Sequence, residues 1–159
     1  MEVRPLREDE RDWLAEHLRL SWGSTTLVSG GRAHDGAALP AIVATDGDAL
    51  TGLATYAIEE GECELVTIEA FERARGTGTA LLDAVATVAR AGGCARLWLI
   101  TTNDNLAALR FYQRRGLRLV AVHRGAVDEA RKIKPGIPLE GDNGIEIHDE
   151  IELELALEG

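Results

Sequence analysis

Glu62-Cys63-Glu64-Leu65-Val66-Thr67-Ile68-Glu69-Ala70-Phe71-Glu72-Arg73-Ala74-Arg75-Gly76-Thr77-Gly78-Thr79-Ala80-Leu81-Leu82 is the stretch on which the fold turns. Apolar and β-branched residues from Leu65 to Ile68 suit a buried strand. Gly76 and Gly78 then strip side chains from a tight turn. Behind them Leu81, Leu82, Val85, Ala86, Val88 and Ala89 recur at three- and four-residue spacing, which predicts a helix with one face in the core. A helix that starts without side chains offers N–H groups and the positive end of a dipole to an anion. Arg73 and Arg75 add two cations beside it. A bound pyrophosphate is therefore expected at this turn.

Two common nucleotide loops are excluded by the residues themselves. There is no Gly-Lys-Ser/Thr ending, so the run is not an NTPase phosphate loop. A dinucleotide fingerprint needs Gly or Ala at position 81, which is Leu. What the run resembles is the acetyl-CoA signature of the GNAT N-acetyltransferase superfamily, Gln/Arg-x-x-Gly-x-Gly/Ala, filled by Arg73, Gly76 and Gly78. A second stretch, Asn105 to Leu117, resembles that superfamily's Asn-x-x-Ala-x-x-x-Tyr-x-x-x-Gly-Phe. Asn105, Ala108, Tyr112 and Gly116 fall in register, and Leu117 stands in the Phe position.

The resemblance spans about residues 1 to 123 and implies a definite fold. One mixed α/β sheet of about seven mostly antiparallel strands is expected, flanked by helices, with a central parallel pair splayed to admit CoA. It also implies roles. Amides from Arg75 through Gly76, Thr77, Gly78 and Thr79 to Ala80 would hold the pyrophosphate, with Arg73 and Arg75 adding charge. Val66 and Ile68 would pair with the pantetheine amides, and Asn105 would reach the same arm or cap its own helix. Tyr112 would protonate the leaving thiolate. Glu64 is the first choice as general base, with Glu69 and His34 as alternatives. That choice uses strand parity: Glu62, Glu64, Val66 and Ile68 share a face if no bulge intervenes. The acceptor pocket of such proteins is covered by the region following the first helix, so Trp22, Arg32 and His34 are candidate contacts with the acceptor.

The remaining residues bound the answer. The chain has 159 residues, and a single domain over 1–159 is expected. Apolar residues make up 45% and charged residues 28%, the balance of a soluble protein. Aromatics are only 4%, so the core must rest on Leu, Val, Ile and Ala. A net charge of -10 argues against nucleic acid, whose binding needs Lys and Arg, and suits a cationic acceptor. No apolar run reaches membrane-spanning length and no secretion signal opens the chain, so a cytoplasmic protein with reduced Cys63 and Cys94 is expected. The four histidines show no ligand spacing, so no metal is expected.

In chain order, the pattern predicts a strand near Val3–Leu6, a helix over 9–22 and a glycine-rich loop from 23 to 40. Strands follow over 41–45 and 50–58 around Asp46-Gly47-Asp48. A strand over 96–102, a helix closed by Gly116, a strand over 117–123 and a short helix over 125–134 come next. Ile151 to Leu157 alternates, which predicts a last strand with its Glu residues on an outer face. The stretch from Gly125 to Asp149 is longer than the resembled pattern requires, and can line an acceptor pocket or a homodimer interface. An amine acetyltransferase is the leading expectation; a CoA-binding module without turnover is the alternative.

Overall fold

The computed structural model describes residues 1–72 and 76–157, with only the backbone of Asp142. Arg73 and Arg75 lie outside the described residues. The chain forms two compact units. One holds Met1–Leu27 and Asp35–Leu97 with residues 156–157, the other Val28–His34 and Trp98–Leu155.

In the first unit β1 (Glu2–Pro5), β4 (Ala41–Asp46), β5 (Ala49–Glu59) and β6 (Glu62–Ala70) run in the order β1-β4-β5-β6, each antiparallel to the next. Helix α1 (Arg11–Trp22) covers one face. Its Leu14 and Leu18 close a core with Ala41, Val43 and Leu53. Glu10 starts that helix, accepting the Arg7 N–H at 2.8 Å and both guanidinium nitrogens of Arg4. Arg4 and that backbone bond hold its carboxyl down at about 2. Helix α2 (Thr77–Ala91) buries Leu81, Leu82, Val85 and Ala86. Ala95, just before β7 (Arg96–Thr102), donates to Gly61 O at 2.8 Å, and Arg96 pairs with Glu62 at 3.2 Å. The starts of β6 and β7 thus lie side by side and run the same way, as a crossover through α2 requires.

Gly52 on β5 sets how closely α2 approaches the strands. A Cβ there would stand 2.7 Å from Thr77 Cγ2, 2.9 Å from Leu81 Cδ1 and 3.0 Å from the Glu69 carbonyl. The last contact is backbone and cannot rotate away. Gly52→Ala is expected to cost about 1–3 kcal/mol through overpacking. It should also push out the first turn of α2, so a lower melting temperature should come with weaker CoA binding.

The second unit has the strand order β7-β9-β8, with β8 (Arg118–His123) antiparallel to β9 (Glu150–Ala156). Helix α3 (Leu106–Arg114) precedes β8, and α4 (Ala126–Ile133) follows it. Arg131 on α4 donates to the carbonyls of Ile137, Pro138 and Ile147, which pins the long connection before β9. Asn103 ties the same connection to the end of β7, accepting from the N–H groups of His148 and Asp149.

The expected mixed α/β class holds. Two details differ from the sequence reading. The region expected as a loop over 23–40 contains a short hairpin, β2 (Thr26–Ser29) and β3 (Arg32–Asp35), turned by Gly30 and Gly31 at φ +58° and +74°. Two adjacent glycines accept the left-handed backbone that such a turn needs. The last strand begins at Glu150, one residue before the expected start, and there the face that leaves Glu152 and Glu154 partly exposed is closed over. β9 lies between β7 and β8, and Glu150 is buried.

Candidate active site

The turn expected to hold an anion is built as its residues require. Gly76 sits at φ +70°, ψ 9° and caps α2, where a left-handed backbone favours glycine. The first turn of α2 has no acidic residue. Ala80 N–H donates to Gly76 O at 3.0 Å and closes that turn. This corrects the expected donor set: the Ala80 amide is already engaged, and the amides of Gly76, Thr77, Gly78 and Thr79 precede it. Buried Thr77 holds the turn down beside Gly52. Backbone donors, a dipole and missing side chains fit a diphosphate.

Strand β6, which leads to that turn, is bulged. Thr67 stands opposite Thr55 and Leu65 opposite Tyr56, so Val66 is the extra residue with no opposite number on β5. A bulge turns the extra residue's backbone out of the ladder. It also corrects the parity argument. Glu64, Thr67 and Glu69 stand opposite Ala57, Thr55 and Leu53, on the α1 face. Ile68 stands opposite Ala54, on the other face. Glu64 is therefore not on the side of Ile68. It is 3% exposed, within a sheet interior that also holds the Thr55–Thr67 hydroxyl pair at 2.7 Å.

Glu69 takes part in a cluster that the sequence did not announce. Its carboxylate is bonded to His17 Nε2 and accepts Trp22 Nε1–H at 2.7 Å. His17 stacks on Trp13 at 5.3 Å and meets Phe71 at 5.0 Å. The Glu69 and His17 side chains keep 22% and 18% exposure, so water reaches them. Trp13, His17 and Trp22 lie along about two and a half turns of α1; the i, i+4 pairing of Trp13 with His17 was the available signal. Trp22, a candidate acceptor contact, is thus brought to Glu69.

In the second unit Asn105 accepts the Ala108 N–H at 3.2 Å and caps α3. Tyr112 is 8% exposed and meets Phe111 edge-on at 5.4 Å. Burial pushes its phenol up to about 12. On β3, His34 is buried and Arg32 exposed. Both cysteines are free thiols, and burial pushes Cys63 up to about 12, with Cys94 and Glu64 adding to the rise. Among the described residues no His, Cys, Asp and Glu group is placed to hold a metal ion. No helix among them is long and apolar enough to cross a membrane.

A glycine-capped helix start thus follows a bulged strand, a geometry that suits a diphosphate-bearing ligand. The acetyltransferase (GNAT) family pattern matches residues 4–117, and the chain belongs to that family. Among its relatives is the uncharacterized protein YxbD of Bacillus subtilis, 37% identical over 152 residues, covering 95% of this chain and 96% of YxbD. YdhI of the same organism, also uncharacterized, is 36% identical over 95% of each chain. The fold is that of a Bacillus subtilis acetyltransferase solved with CoA, at TM-score 0.71, 20% identity and 99% coverage of both chains. It is likewise that of a GNAT acetyltransferase from Elizabethkingia anophelis solved with acetyl-CoA, at TM-score 0.73 and 18% identity, covering 98% of this chain and 97% of that one.

Proposed function

We propose that the protein transfers an acetyl group from acetyl-CoA to a primary amine of a small molecule or peptide, within a ternary complex and in the cytoplasm. The observation that carries this reading is the left-handed Gly76 cap on a helix start free of acidic side chains, directly after a bulged strand. Those elements supply what CoA needs: amides for its pyrophosphate, with Arg73 and Arg75 adding charge, and backbone groups of Val66 and Ile68 for the pantetheine arm. The CoA-bound relatives by fold support the same assignment. Residues 1–159 would act as one catalytic domain.

In the transfer a neutral amine nitrogen attacks the thioester carbonyl carbon, and the carbon–sulfur bond breaks. The proton lost by nitrogen goes to a base, and the departing thiolate takes one from Tyr112. A phenol held protonated by burial stays available as that acid throughout the physiological range. The Val66 amide is the candidate donor to the tetrahedral oxygen. As base we favour Glu69 with His17 over the buried Glu64, because solvent reaches the pair. Glu69→Gln preserves the size of the side chain and removes its charge. Turnover at saturating substrate should fall about a hundredfold, with CoA affinity unchanged. An equal effect on both would make the residue structural.

The test of the reading is thiol release from acetyl-CoA across a panel of amines, with the acetylated product identified by mass. CoA binding without release above the hydrolysis background, for every amine, would favour a CoA-binding module without turnover.

A further inference from the structure

The second unit contains a pocket of about 590 Å³ that the reaction scheme does not use. That size lies within the range of small-molecule sites, about 300–1,000 Å³. Its walls come from three places: the sheet, α4, and the Gly30-Gly31 turn. Trp98 and Ile100 of β7 supply an apolar floor. On α4 the lining residues Ala126, Glu129, Ala130 and Ile133 follow the i, i+3, i+4, i+7 spacing of one helix face. Two alanines on that face leave the room that larger side chains would fill. The hairpin turn closes over the tryptophan, since a Cβ on Gly30 would stand 3.7 Å from Trp98 Cη2.

The polar groups at this pocket are unbalanced. Glu129, Glu150 and Glu152 face one lysine, Lys132, and one histidine, His123. The sum is negative whether or not His123 is protonated. Lys132 is paired with Glu129 at 3.0 Å and His123 with Glu152 at 2.9 Å. Glu150 is different in kind: it is 5% exposed, and Gly30 N–H donates to its Oε1 at 3.2 Å, which fixes where the carboxylate points. An anionic ligand would meet net repulsion here. A purely apolar one would leave the carboxylates without use. A cation in this pocket has both the Glu150 carboxylate and the Trp98 indole to meet, partners that favour positive charge.

We propose that this pocket binds a protonated amine borne on an aromatic or branched aliphatic body. Taken with the acetyltransferase reading, on which this last step rests, it names the acceptor as an apolar amine rather than a sugar or an acidic peptide. The binding claim stands apart from that step.

The probes are phenethylamine, 2-phenylethanol and phenylacetate, titrated into the full chain by calorimetry and by tryptophan fluorescence. Phenethylamine should bind about tenfold or more tighter than the alcohol of the same shape, as a charge-assisted hydrogen bond allows, and phenylacetate weakest. Glu150→Gln should bring the amine level with the alcohol, and Ala126→Leu should weaken both by filling the space. Neither variant should change CoA affinity. Equal binding of amine and alcohol by the unaltered protein would overturn the proposal without any variant. So would full amine affinity in folded Glu150→Gln. Tight amine binding with no acetyl transfer would uphold the pocket and count against the acetyltransferase reading instead.

Discussion

Gly78→Glu is expected to lower CoA affinity by at least about a hundredfold, roughly 2.7 kcal/mol. Gly78 is the second residue of α2, in the turn proposed to hold the pyrophosphate. A carboxylate there adds bulk and negative charge at the proposed position of the diphosphate. The substitution should not damage the helix. Glutamate has a better helix propensity than glycine, and acidic residues are favourable in a first turn. Isothermal titration with CoA, beside a melting curve, separates the two effects. A folded variant that keeps its CoA affinity would mean that the anion site lies elsewhere.

The second large effect is expected at Tyr112. Tyr112→Phe removes one hydroxyl from a side chain that is 8% exposed and leaves the ring in place. If that hydroxyl protonates the thiolate, turnover should fall about a hundredfold or more, in the range of general acid catalysis, while CoA affinity stays the same. The phenol also has a pH signature. Burial raises it from 10.0 to about 12, so the folded state holds its proton to higher pH than the unfolded state does. Its contribution to stability is complete below pH 10 and is lost as pH rises towards 12. Tyr56, also raised by burial, acts in the same direction. The Phe variant should therefore show a shallower alkaline loss of stability than the parent. A variant with undiminished turnover would remove Tyr112 from the chemistry.

What could be read from the residues was what depends on near neighbours in sequence. A glycine pair before a 3.6-period stripe specifies a helix start, and Asn105 three residues before Ala108 specifies a cap. Both stand as expected. The parity of β6 could not be read, because the bulge at Val66 exists only relative to β5, whose register is set across the chain. One skipped residue moved Glu64 away from the face of Ile68. The same limit hid the Glu69 cluster, which joins α1 to a strand 47 and 52 positions further on. It also hid the pocket. The alternation from Ile151 to Leu157 was plain in the sequence, yet it cannot show that α4 and the Gly30-Gly31 turn stand against the face that carries Glu150 and Glu152. Hairpin β2–β3 was missed for a different reason. Its strands are four residues each, too short for periodicity to show.

On the proposed function, backbone donors at the head of α2 hold the diphosphate of CoA. A crystal structure of the protein grown with CoA tests it most directly. Pyrophosphate oxygens are expected within hydrogen-bond distance of the amides between Gly76 and Thr79, with the pantetheine arm running along β6 past Ile68 and Val66. CoA bound with its pyrophosphate away from that turn, or those amides engaged by protein groups in the complex, would contradict it.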